Sequence, residues 1–170
     1  LDNYLYSEGL ALRLLPLDPT KRGEEEQPIN LNPMYDNIMN KFKWGNIKNA
    51  KYLDIQSADD ISIFNNIFNS LTTGLIQAGR LEDAKKVMKR YEEVIPTKIY
   101  GMRAAMGAAT MAQNLYTLGE TEKANQLIKK YADYIGKEVT YLGDVSKSKN
   151  RLVGQQPIQI GLFYGLMPMA

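Results

Sequence analysis

The sequence predicts a mainly α fold in which helix hairpins follow a less regular N-terminal region. Three observations carry this. The stretch GRLEDAKKVMKRYEEVIP at 79–96 returns in outline as GETEKANQLIKKYADYIG at 119–136. Both begin with Gly (Gly79, Gly119), place Ala five residues on (Ala84, Ala124), a bulky apolar residue nine on (Met88, Ile128) and Tyr twelve on (Tyr91, Tyr131). The segment leading into each Gly has apolar or small residues at helical spacing, whereas residues 1–58 show no clean helical period over most of their length.

Gly is the residue that ends a helix in the left-handed conformation at low steric cost, and small residues let facing helices approach. Ahead of Gly79, Ile61, Phe64, Ile67, Phe68, Leu71, Leu75 and Ile76 form one amphipathic stripe, with Asp59 and Asp60 as the expected N-cap. The helix over residues 81–95 turns Leu81, Ala84, Val87, Met88, Tyr91 and Val94 inward, pairs Glu82 with Lys86, and stops at Pro96. Ahead of Gly119, the stripe is Met102, Ala105, Met106, Ala109, Ala112, Leu115 and Tyr116. The helix from Thr121 to about Tyr141 buries Ala124, Leu127, Ile128, Tyr131, Tyr134 and Ile135. Residues 143–156 are polar and read as a loop, and an apolar helix is expected from about 157.

The N-terminal part divides differently. Tyr4, Tyr6, Leu10, Leu12 and Leu14 suit a short strand or an extended packing segment, and Gly9 and Pro16 oppose one long helix. Residues 18–30 read as an exposed loop whose acidic run, Glu24 to Glu26, is a solvated surface. Asn32 and Pro33 read as the cap and first position of a helix to about Phe42. Residues 46–58 form an irregular connector with a possible short strand at 52–55. The resulting division is 1–58, an irregular region with one short helix packed over the first hairpin, and 59–170, helical repeats with hairpins at about 59–96 and 100–142.

Composition narrows the chemistry. The chain of 170 residues has 44% hydrophobic and 24% charged residues, a net charge of +2, and neither Cys nor His. Thiol and imidazole catalysis, disulfides and Cys/His zinc sites are therefore excluded. The small net charge gives no electrostatic case for nucleic acid. The run KFKWG at 41–45 interleaves bases and aromatics, a pattern that can bind single strands, but Trp44 beside the Gly45–Asn46 turn reads as a packing anchor. No run is apolar for the roughly 18 residues of a membrane span. No cofactor or metal motif is present, so none is expected.

The two hairpins resemble tetratricopeptide repeats, with Gly79, Ala84, Met88 and Pro96 at that pattern's turn, small, bulky and closing positions, and Gly119, Ala124 and Ile128 repeating it. The 40-residue separation of Gly79 and Gly119 departs from the family's roughly 34, which implies a longer connection near 97–101 and a less regular superhelix. A second resemblance spans almost the whole chain: YLYSEGLALRLLPL at 4–17, MYDNIMNKFKWGN at 34–46, YLD at 52–54 and AGRLEDAKKVMKRYEEVIP at 78–96 occur in that order. In these the chain is similar to the C-terminal region of bacterial membrane proteins in the domain-of-unknown-function family numbered 2723. That family has a multi-spanning N-terminal part similar to lipid-linked-sugar glycosyltransferases. The resemblance implies a tail on a membrane-embedded parent, attached to the membrane through a part not in this sequence, on the periplasmic side by analogy. It carries no catalytic residue onto this chain.

The function expected is thus a non-catalytic repeat domain that holds a protein partner or acceptor protein, and no nucleic acid. Its candidate interaction surface is Asn65, Asn66 and Asn69 on one helix with Arg103, Gln113 and Asn114 on another. One alternative is an enzyme using carboxylates from Asp36, Asp54, Asp59 and Asp60 in glycoside chemistry. The other is a structural domain for folding or oligomerisation, in which Leu162, Phe163, Tyr164, Leu166 and Met167 are either a docking patch or a core helix.

Overall fold

A computed structural model describes residues 4–16, 28–96 and 101–148. They are mainly helical, with one two-stranded sheet. Strands β1 (Leu5–Ser7) and β2 (Leu12–Leu14) pair antiparallel around Gly9, whose φ is 109°. The expected single extended segment is thus a hairpin, because Gly9 supplies a turn that side-chain-bearing residues adopt only with strain. Glu8, in its turn, is buried. Its carboxylate accepts from Asn30 Nδ2 at 2.6 Å and pairs with Arg13 at 3.2 Å, and its backbone carbonyl accepts from Asn37 Nδ2 at 3.0 Å.

Helix α1 (Leu31–Asp36) begins after Asn30 rather than at Pro33, and continues as a wider turn through Lys41. Pro33 still falls in the first turn, where its missing N–H has no intrahelical acceptor to forfeit. Helix α2 (Ile55–Gln77) starts earlier than expected. Asp54, not Asp59 or Asp60, is its cap, accepting from the Ser57 N–H at 2.7 Å. The expected strand at 52–55 is therefore absent, and the division at 58/59 falls inside α2. The side chains of Met34 and Ile38 are fully buried in one cluster with Ile61, Phe68, Leu71 and Leu75 of α2. The N-terminal segment covers that face of α2.

Trp44 is central to this covering. Its ring lies 5.1 Å from Phe68, 5.6 Å from Phe64 and 5.9 Å from Phe42, and Phe68 in turn meets Tyr91 edge-on at 5.3 Å. The aromatic faces of the KFKWG run are thus used by the chain's own rings, and Lys41 is paired with Asp36 at 2.6 Å. A second tie is Arg80, which bonds Asn32 Oδ1 at 2.6 Å and Asp83, and lies over the Tyr35 ring at 5.5 Å.

Helix α3 (Leu81–Val94) buries Ala84, Val87, Met88 and Val94. Leu81, expected inside, is 43% exposed at the first helical position, and Glu82 pairs with Lys85 instead of Lys86, which bonds Asp83. Helix α4 (Gly101–Thr117) packs on α2 and on α5 (Thr121–Ser148). Its described buried face is Ala108, Met111, Ala112, Leu115 and, just past its end, Leu118. Tyr116 is exposed. The expected loop at 143–156 is helix as far as Ser148, since extending an existing helix costs far less than nucleating one. The acidic run at 24–26 and the helix from about 157 lie outside the described residues.

The turns at Gly79 and Gly119 close alike. Gly79 N–H donates to Ile76 O and Arg80 N–H to Leu75 O; Gly119 N–H donates to Tyr116 O and Glu120 N–H to Leu115 O. Both glycines have positive φ, 73° and 80°, with open space where a Cβ would stand. Steric room is therefore not the constraint; backbone conformation is. Gly79→Ala and Gly119→Ala should each lower stability by about 1–2 kcal/mol. Gly136, inside α5 with equally open surroundings, should gain about 0.5–1 kcal/mol on replacement by Ala. Urea unfolding of the three variants checks the opposite signs.

Candidate functional site

A groove of ≈ 430 Å³ runs between α3 and α5, with α4 beneath it. Its floor follows from the small residues of α4: Gly107 and Ala108 keep that helix low, and Met111 and Leu115 line the depression. Met88 and Tyr91 of α3 form one wall and Leu127 of α5 the other. The rim is polar and mostly cationic, from Lys48, Lys123, Gln126, Lys130 and Glu92. An apolar floor with a charged rim suits a peptide-like or other amphipathic ligand better than a small polar one.

The rim is partly tied together. Lys123 Nζ reaches Glu92 Oε1 of α3 at 3.2 Å and Glu120 at 3.5 Å, and these contacts, the Glu92 hydrogen bond foremost, hold the ammonium pKa above its ordinary value. Lys48 donates to the Glu92 backbone carbonyl. Lower in the groove, Tyr91 O–H donates to Asn65 Oδ1 at 3.0 Å, and burial pushes the phenol up to about 12. Tyr91 is therefore a neutral hydrogen-bonding group throughout the physiological range.

The six residues read from the sequence as an interaction surface separate. Asn65, Asn69 and Asn114 are buried, at 7%, 5% and 7% exposure, and so do not form an open face. Asn69 Nδ2 donates to Gly107 O at 2.8 Å across the α2–α4 contact, and Asn114 Oδ1 accepts from Thr73 at 3.2 Å. These amides join helices, and only Asn65 also lines the groove. Asn66 and Gln113 are exposed, and the Arg103 side chain lies outside those described. The groove residues Lys123, Gln126, Leu127 and Lys130 were missed, although their spacing places them on one face of α5 and could have marked that face.

The carboxylates of the alternative reading are engaged locally. Asn40 and Lys41 bond Asp36, and the Ser57 N–H bonds Asp54, and both carboxyls are held below the usual range by those hydrogen bonds. Asp60 is exposed on α2. Among the described residues no group of three or more acidic side chains is arranged to hold a metal ion. Among them, too, no helix is long and apolar enough to cross a membrane.

The two kinds of asparagine should behave differently. Asn69→Ala removes a buried hydrogen bond across the α2–α4 contact together with the amide's packing, and should cost about 1–3 kcal/mol. Asn66→Ala, one turn face away and exposed, should change stability by under about 0.5 kcal/mol. Chemical denaturation of both variants distinguishes a helix-joining amide from a surface one. No protein-family model, curated protein or solved structure matches the chain.

Proposed function

We propose that the chain is a non-catalytic helical-repeat domain that holds a segment of a protein partner in the groove between α3 and α5. The observation that carries the reading is the groove itself: an apolar lining of Met88, Met111, Leu115 and Leu127 under a rim of Lys48, Lys123 and Lys130. Stacked helix pairs offer broad surfaces of this kind, which bind by shape and dispersed polar contacts. The matching hydrogen bonds of the Gly79 and Gly119 turns support reading the two hairpins as tetratricopeptide-like units.

In the same reading the domain is the tail of a membrane-embedded, glycosyltransferase-like parent and works on the periplasmic side. The support is the ordered set of sequence phrases at 4–17, 34–46, 52–54 and 78–96, which resemble that family's C-terminal region. The partner would then be an acceptor protein or a neighbouring subunit.

Site-specific photo-crosslinking in cells tests the groove. A benzophenone side chain at Gln126, on the groove rim, should give a discrete crosslinked product, whereas one at exposed Asp133, a residue of α5 that does not line it, should not. Adding Met111→Lys, which puts a charge on the floor, should reduce the Gln126 product at least about fivefold. Equal products at both positions, or none at Gln126, would overturn the assignment.

A further inference from the structure

A second groove, of ≈ 200 Å³, lies between α4 and α5 and is lined by Ala109, Ala112, Gln113, Tyr116, Ile128 and Tyr131, together with Ala108. Its lining is almost wholly apolar. The turns at Gly79 and Gly119 share their hydrogen bonds, so positions counted from each turn pair off at a shift of 40 residues. Under that shift Ala109 corresponds to Asn69, Gln113 to Thr73, Tyr116 to Ile76, and Ile128 to Met88.

In the first hairpin this face receives a helix. Asn69 bonds Gly107 O of α4, Thr73 bonds Asn114 of α4, and Met88 borders the same groove as Gly107 and Met111 of α4. The second hairpin offers the equivalent face with more of it open. Asn69 and Met88 are buried where Ala109 and Ile128 are only partly so, and Gln113 and Tyr116 are exposed where Thr73 and Ile76 are not. The polar pair that bonds α4 is replaced at Ala109 by a small apolar residue, which suits an apolar occupant.

We propose that residues 157–167 of this chain occupy the groove between α4 and α5, standing to the second hairpin as α4 stands to the first. Their sequence, PIQIGLFYGLM, supplies Ile158, Leu162 and Leu166 at the i, i+4, i+8 spacing of one helix side, with Phe163 next to them. The connection is long enough. Residues 149–156 reach up to about 27 Å extended, and Tyr131 lies roughly 25 Å from Ser148 along α5. Residues 95–100 make the shorter corresponding link from α3 to α4. This assignment is independent of any partner in the α3–α5 groove.

The chain contains no cysteine, so introduced thiols report without background. Gln113→Cys is combined in turn with Leu162→Cys, Phe163→Cys and Leu166→Cys in the full chain and oxidised mildly. At least one pair should close an intramolecular disulfide that runs as a monomer, while Asp133→Cys, off the groove, should close none. In the Gln113→Cys chain, Phe163→Asp should raise the alkylation rate of the thiol at least about tenfold. Absence of any intramolecular disulfide overturns the proposal whether or not the Phe163→Asp chain folds. A disulfide-linked dimer also overturns it, since a second copy would then be the occupant.

Discussion

The described structure depends on the contact of Phe68 with the rings on either side of it. Phe68 is fully buried at the middle of α2, with Trp44 of the N-terminal segment on one flank and Tyr91 of α3 on the other. Burying such a ring is worth about 1.5–3 kcal/mol, and the edge-to-face pair with Tyr91 adds about 0.5–1.5 kcal/mol. More important is what the contact joins. It makes the N-terminal segment and the first hairpin share one apolar cluster, so the irregular half of the chain is held by the regular half.

Helix α2 has two buried faces of different chemistry. One is apolar and takes α1, Trp44 and part of α3. The other presents Asn65, Asn69, Thr72 and Thr73: Asn65 and Thr72 bond Tyr91 and Met88 of α3, and Asn69 and Thr73 bond groups of α4. A polar face of this kind fixes where α4 sits more narrowly than apolar packing would, because a buried amide such as that of Asn69 must find its acceptor. With α4 placed there, α3 and α5 flank a groove, and Lys123 and Glu92 meet across it. A second groove, lined by Ala108, Ala112, Ile128 and Tyr131, lies between α4 and α5.

Much of this was legible in the sequence. The apolar stripe of α2, the glycines at 79 and 119 and the anchoring of Trp44 each rest on a local signal strong enough to survive packing. The start of α2 was not, because Asp54 and the Asp59–Asp60 pair both offer a capping oxygen, and only the Ser57 N–H decides between them. The asparagines were misread for a physical reason. A buried face built from Asn and Thr has the periodicity of a solvated one, and nothing short of its partner helix reveals that its hydrogen bonds are made inside. The convergence of the groove lysines has no local signal of its own, since Lys48 and Lys123 come together on Glu92 from different segments only once the chain has folded.

Trp44 is the only tryptophan, which gives the central joint a private probe. The most direct measurement is equilibrium unfolding in urea followed simultaneously by Trp44 fluorescence, excited at 295 nm, and by far-ultraviolet circular dichroism. If the Phe68 contact unites the N-terminal segment with the helices, the two signals trace one transition with a common midpoint. A fluorescence change completed at lower urea, with helicity still intact, would mean that the segment detaches independently and would contradict the account.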